Sequence, residues 1–128
     1  MATLSRASFI AVVDDDEAIR EATQGLLKAV GYATEAFPSA EDFLASRRLN
    51  EVACLITDIQ LGGMSGLQLQ RHLGSSGFTA PIIVMTAFPE DGQRALAAGA
   101  LCVLDKPFIK DELLTRIRLV VQPGGELP

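Results

Sequence analysis

Residues that build metal or disulfide frameworks are scarce in this chain, which has two cysteines and one histidine in 128 residues. Cys54 and Cys102 each sit inside an apolar run and His72 is distant from both, so the ligand spacing of a structural metal site is missing. The two thiols read as small buried hydrophobes. No apolar run approaches the ~18–20 residues needed to cross a bilayer. Residues 1–8 are polar, carry one arginine and lack the apolar stretch of a secretory signal, so a cytoplasmic location is expected. Positive charge is in deficit too. The net charge is −5 with no basic patch, which excludes direct binding of nucleic acid by this chain. What remains is 48% apolar and 21% charged, ordinary for a globular protein, in a length that suits one domain with a substantial core.

Strand-like apolar runs alternate five times with helix-like periodic segments. The runs are 9–13, 32–36, 53–57, 82–85 and 102–104. The first, third and fourth are apolar throughout, as in a parallel sheet covered on both faces, and the second alternates weakly, as an edge strand does. A first helix is expected over 16–30, with Ile19, Ala22, Leu26 and Val30 on one stripe and Gly31 as its stop. Ser39 is placed to cap a short second helix, with Asp42 as its capping-box partner. Ser65 is placed to cap a third helix ending near Gly74, although Leu67-Gln68-Leu69-Gln70 also suits a strand. Pro89, Glu90 and Asp91 suit the first turn of a fourth helix that stops at Gly99. A fifth carries Leu113, Leu114, Ile117 and Val121 on one side and ends before Pro123-Gly124-Gly125. Such (βα)5 alternation with short connections predicts an α/β fold with an open, doubly wound, five-stranded parallel sheet and helices on both faces.

Sites in these sheets lie beyond the carboxyl ends of the strands. Those ends carry Asp14-Asp15-Asp16, Asp58, Thr86-Ala87 and Asp105-Lys106-Pro107. Asp16 and Glu17 suit a helix start. The remaining carboxylates, hydroxyl and lysine fall at four separate strand ends, so they converge on one crevice. Carboxylates held together either rise in pKa or recruit a cation, and an all-oxygen set suits Mg²⁺. Asp58 would then stay ionised as a nucleophile toward phosphorus, with Lys106 and Thr86 holding phosphoryl oxygens.

Val12-Val13-Asp14-Asp15, Thr57-Asp58-Ile59, Met64-Ser65-Gly66, Met85-Thr86-Ala87 and Asp105-Lys106-Pro107-Phe108 form an ordered set that resembles the signature of bacterial response-regulator receiver domains. The likeness runs from about Phe9 to Val121. It implies a flavodoxin-like fold with strand order 2-1-3-4-5 and a receiver unit over 9–121, between an N-terminal tail, 1–8, and a C-terminal tail or linker, 122–128. It implies Asp58 as phosphoacceptor, with Mg²⁺ held by Asp15, Asp58 and the Gln60 carbonyl, and by Asp14 through water. Thr86, Ala87 and Lys106 would bind the phosphoryl group, and the Lys106–Pro107 bond would be cis. The donor would be a histidine kinase or histidine phosphotransfer protein. The output would be a protein target or output domain, engaged through the face of helix 4, strand 5 and helix 5, with homodimerisation on phosphorylation among the outcomes. The chain is not expected to be an enzyme beyond catalysing its own phosphotransfer and dephosphorylation.

Three positions depart from the family pattern. Leu61-Gly62-Gly63 replaces the usual Met-Pro, which predicts a more flexible loop. Val103 stands where a switch aromatic is usual, and Phe88 adds an aromatic two residues after Thr86, so Thr86, Val103 and Phe88 are the expected switch residues. A haloacid-dehalogenase-type hydrolase is the rival reading. It needs a second acid where Gln60 stands, and a cap domain for which the chain has no room. A flavodoxin proper would not cradle a phosphate in the triply acidic loop, and Gly62-Gly63-Met64-Ser65-Gly66 lacks dinucleotide-binding spacing. As for role, the domain reads as a stand-alone regulator, with the amino-terminal half of a DNA-binding regulator as the alternative.

Overall fold

The apolar runs close into one sheet in the order β2-β1-β3-β4-β5, every neighbouring pair parallel. The computed structural model describes residues 8–121. The strands are β1 (Phe9–Val13), β2 (Thr34–Phe37), β3 (Val52–Asp58), β4 (Ile82–Thr86) and β5 (Cys102–Asp105). The helices are α1 (Glu17–Ala29), α2 (Ala40–Ala45), α3 (Gly66–Ser75), α4 (Pro89–Ala97) and α5 (Lys110–Arg118), with a 3-10 turn over Leu49–Glu51. The N-terminal tail and the Pro123-Gly124-Gly125 segment lie outside the described residues, apart from Ser8. No described helix is long and apolar enough to cross a membrane.

Strand periodicity places the two cores. Ile10 and Val12 of β1 join Cys54, Ile56, Ile83 and Met85 beneath α1 and α5, which contribute Leu27, Leu113, Leu114 and Ile117. Phe9, Ala11 and Val13 point the other way, against Phe43 of α2 and Leu69 and Leu73 of α3. A third cluster seats α4 through Ala95 against Val84, Ala100 and Ile59. Both faces of β1 are therefore buried along its whole length, which is why its sequence is continuously apolar.

Local signals set the helix ends. Asp16 caps α1 by accepting from the Ile19 N–H at 3.2 Å, and Gly31, at φ 101°, ends it in the left-handed region. Ser65 and Gln68 form a complete capping box, which settles the Leu67–Gln70 stretch as helix. Ser39 does cap α2 through the Asp42 N–H, but the reciprocal bond expected from Asp42 is not made. The second strand starts two residues later than expected. Tyr32 belongs to the turn closing α1, its N–H bonded to the Leu27 carbonyl, and its buried hydroxyl donates to the Val121 carbonyl at 2.7 Å.

Candidate functional site

Register brings the strand ends level. Val13 pairs with Thr57, Asp58 with Met85, and Thr86 with Asp105, so Asp14, Asp58, Thr86 and Lys106 emerge at one edge of the sheet. Asp14, Asp58 and Thr86 are buried, Asp15 is exposed, and Lys106 is half-buried. The expected constellation is assembled.

Lys106 organises it. Its Nζ donates to Asp58 Oδ2 at 2.6 Å and lies 3.0 Å from Asp14 Oδ2. The second contact is a charge contact without hydrogen-bond alignment, so buried Asp14 Oδ2 keeps no aligned donor. Asp14 Oδ1 accepts from the Asp16 N–H at 2.9 Å, and Arg20 pins the same turn by donating to the Asp14 carbonyl, also at 2.9 Å. Asp58 Oδ1 accepts from the Gln60 N–H at 3.1 Å, which leaves both Asp58 oxygens held in place.

Burial pushes the Asp14 carboxyl above the ordinary carboxylate range, outweighing the Asp16 amide and the Lys106 charge that oppose it. For Lys106, burial works to lower the pKa, but its hydrogen bond to Asp58 and the nearby charge of Asp14 prevail and hold it above the ordinary lysine value.

Oxygens of Asp14, Asp15 and Asp58 all lie within 4.8 Å of one another. Three carboxylates facing one ammonium leave an excess matched by a divalent cation, and a buried carboxylate oxygen lacking an aligned donor is what a cation or its water would satisfy. The donor set therefore fits Mg²⁺.

Around this centre, Thr86 Oγ1 accepts from the Phe88 N–H at 3.1 Å, which fixes the hydroxyl on the β4–α4 loop. Ala87 is exposed between them, and Phe88 is the N-cap residue of α4, half its surface in solvent. Val103 is half-buried against the α4 cluster, and Gly92 passes it so closely that a Cβ there would meet Val103 Cγ1 at 3.0 Å. The Lys106–Pro107 peptide is cis, as expected.

Sequence reasoning did not single out several contacts at the rim. The Gln60 side chain donates to Asp91 Oδ2 at 2.8 Å, tying the loop after β3 to the first turn of α4. The Gly62 N–H donates to Asp15 Oδ2 at 3.3 Å, and the Met64 N–H donates to Glu41 Oε2 at 2.8 Å. Gly66 is required sterically, since a Cβ there would clash with the Asp58 carbonyl oxygen. Only Gly66 had a signal, its place in the Met64-Ser65-Gly66 motif.

The response regulator receiver domain family matches residues 10–118. The chain belongs to that family. This receiver domain is 38% identical over 119 residues to the response regulator protein TodT of Pseudomonas putida, an alignment covering 91% of this chain and 52% of that protein. The response regulator StyR superposes with a TM-score of 0.83 at 36% identity, over 93% of this chain and 61% of that one. The chemotaxis protein CheY4 of Vibrio cholerae superposes at 0.79 with 27% identity, over 91% and 100% respectively. The chain spans about half the length of the curated relatives it matches. The flavodoxin-like topology and the signalling class read from the sequence are both borne out.

Proposed function

We propose that this receiver domain accepts a phosphoryl group on Asp58 from a phosphohistidine of a histidine kinase or phosphotransfer protein. The observation that carries this is the seat of Asp58: a buried carboxylate at a strand end, held by Lys106 at 2.6 Å and by the Gln60 amide, with Asp14 and Asp15 alongside. An Asp58 oxygen attacks phosphorus, the P–N bond to imidazole breaks with its electron pair returning to nitrogen, and an acyl phosphate forms. Lys106 then follows the charge from the carboxylate onto the phosphoryl oxygens, and the Thr86 hydroxyl and Ala87 amide take the remaining ones. Mg²⁺, held by Asp15, Asp58 and the Gln60 carbonyl and by Asp14 through water, would supply charge neutralisation for the transferring group. Hydrolysis of the acyl phosphate by the same residues resets the domain.

For output, we propose the face of α4, β5 and α5. Leu96 of α4, Leu101 just before β5 and Leu119 just after α5 are exposed, as are Phe88 and Ile109 at the starts of α4 and α5. A protein target or output domain is the expected occupant, and pairing of two phosphorylated copies would use the same surface. The receiver unit is taken as 9–121.

The test is labelling by a small phosphodonor. Wild-type protein should acquire Mg²⁺-dependent, hydroxylamine-sensitive label. Asp58→Asn should fold, by its amide spectrum, and acquire none. Label surviving in Asp58→Asn would overturn the assignment.

A further inference from the structure

The loop after β3, where Leu61-Gly62-Gly63 departs from the family pattern, is tied at two points. On one side α2 presents Glu41, whose Oε2 accepts from the Met64 N–H at 2.8 Å. The same carboxylate lies against Gly63, where a Cβ would stand 2.7 Å from Oε2, and Gly63 has φ 76°. A side chain at Gly63 would both strain the backbone and displace the carboxylate. On the other side, the Gly62 N–H donates to Asp15 Oδ2 at 3.3 Å. Proline, the usual residue at this position, has no N–H to give. Asp15 is exposed, and the amide of Gly62 is the hydrogen-bond partner recorded for its side chain among the described residues.

We infer that Glu41 and the Gly62 amide form a brace that positions Asp15 for the metal. Glu41 is a positioning residue: it fixes the loop through Met64, and the loop in turn fixes one oxygen of Asp15 and leaves the other free to ligate. The brace rests on the reading of Asp14, Asp15 and Asp58 as an Mg²⁺ site. It answers the flexibility that two adjacent glycines would otherwise bring to the loop. Exposed carboxylates are ordinarily mobile, and holding one in its ligating rotamer before the cation arrives lowers the cost of binding. Hydrogen bonding to Met64 holds the Glu41 carboxyl below the ordinary glutamate value, as expected of a charged acceptor in use.

Mg²⁺ affinity, measured by calorimetry on the folded chain with the metal alone, tests the brace. Glu41→Ala should weaken Mg²⁺ binding by roughly three- to tenfold, at or below the low edge of what outer partners of metal ligands confer, because these bonds are exposed. Glu41→Gln, which keeps an acceptor for the Met64 amide and loses the charge, should bind Mg²⁺ close to wild type. Gly62→Pro, which removes the N–H at a position with open space for a side chain and no left-handed φ, should match Glu41→Ala. At saturating Mg²⁺, labelling rates of all three should return to the wild-type value, since only affinity is affected. If Glu41→Gln binds as weakly as Glu41→Ala, the effect is the carboxylate's field and the brace is wrong. Wild-type affinity in Glu41→Ala or Gly62→Pro also overturns it, and should Glu41→Ala unfold, Gly62→Pro decides. Absence of Mg²⁺ binding by wild-type protein would instead remove the metal-site reading and the brace with it.

Discussion

Lys106 and Asp58 meet at 2.6 Å although 48 residues separate them in sequence, and the same ammonium lies 3.0 Å from buried Asp14. One cation thus compensates two carboxylates that the sheet brings to a single edge. Removing it by Lys106→Met should cost about 1–3 kcal/mol at pH 7, less than for a fully buried pair because the lysine retains some solvent contact. The pH dependence has a definite sign. The Asp14 pKa is raised in the folded state, so its contribution to stability is full below its ordinary value of 3.8 and is lost as pH rises through the folded value. Without Lys106 the Asp14 pKa rises further. The deficit of Lys106→Met should therefore be largest at neutral pH and shrink toward pH 3, as read by denaturant melts at several pH values.

Asp14 and Asp15 should separate in their response to substitution. Asp14→Asn removes a buried charge whose pKa is pushed up by burial, so it should raise the melting temperature of the metal-free protein. Asp15→Asn removes an exposed one, so it should leave that temperature nearly unchanged and abolish most of the stabilisation by Mg²⁺. In wild type that stabilisation should be about 1.4 kcal/mol at a tenfold excess over Kd. Thermal melts with and without millimolar Mg²⁺ make the comparison.

Both thiols should be titratable in denaturant without reductant. Cys54 and Cys102 are free and sit on β3 and β5 with β4 between them, so two inter-strand spacings of ~4.8 Å exceed the ~7 Å limit for a bridge. In the native state Cys54 should resist alkylation at pH 8, because burial pushes its thiol up to about 12. That shift stabilises the fold fully below the ordinary value of 9.0 and is lost as pH rises toward the folded value. Rapid native alkylation of Cys54, located by peptide mapping, would contradict the packing of β3.

A phosphoryl mimic should shift the amides around Asp58, Thr86 and Phe88 more than those of residues 101–104. Val103 is β-branched, stiff at χ1 and packed beneath Gly92, so it has little room or reach to swing as an aromatic would. The Phe88 N–H is bonded to Thr86 Oγ1, so movement of that hydroxyl toward a phosphoryl group must disturb Phe88 directly. Large shifts at 101–104 that persist in Phe88→Ala would show a switch independent of any aromatic.

Much of this was legible in the sequence. Continuous apolar runs located β1, β3 and β4 because both faces of each are covered, and the strand-end rule then gathered Asp14, Asp58, Thr86 and Lys106. Two details went astray because tertiary contacts overrode local pattern. Tyr32 looked like strand, but its hydroxyl is held by Val121, 89 residues away, and Asp42 was a capping-box partner in spacing only. The ties of Gln60 to Asp91, Gly62 to Asp15 and Met64 to Glu41 span 31, 47 and 23 residues. A side chain meeting a backbone amide or another side chain across such a gap leaves no periodicity or motif to read. The two glycines after Leu61 suggested slackness, whereas one supplies the amide and the other the space that the neighbouring carboxylates use.

The central claim is that Asp58 carries the phosphoryl group, and the most direct measurement is to locate the label. Wild-type protein phosphorylated by a small donor in Mg²⁺ would be digested and the acyl phosphate mapped by hydroxylamine trapping and peptide mass spectrometry. The account predicts one modified carboxylate, Asp58, within the peptide containing Thr57-Asp58-Ile59, and none when the metal is chelated. A label on Asp14, Asp15 or any other residue, or equal labelling of Asp58 without metal, would contradict it.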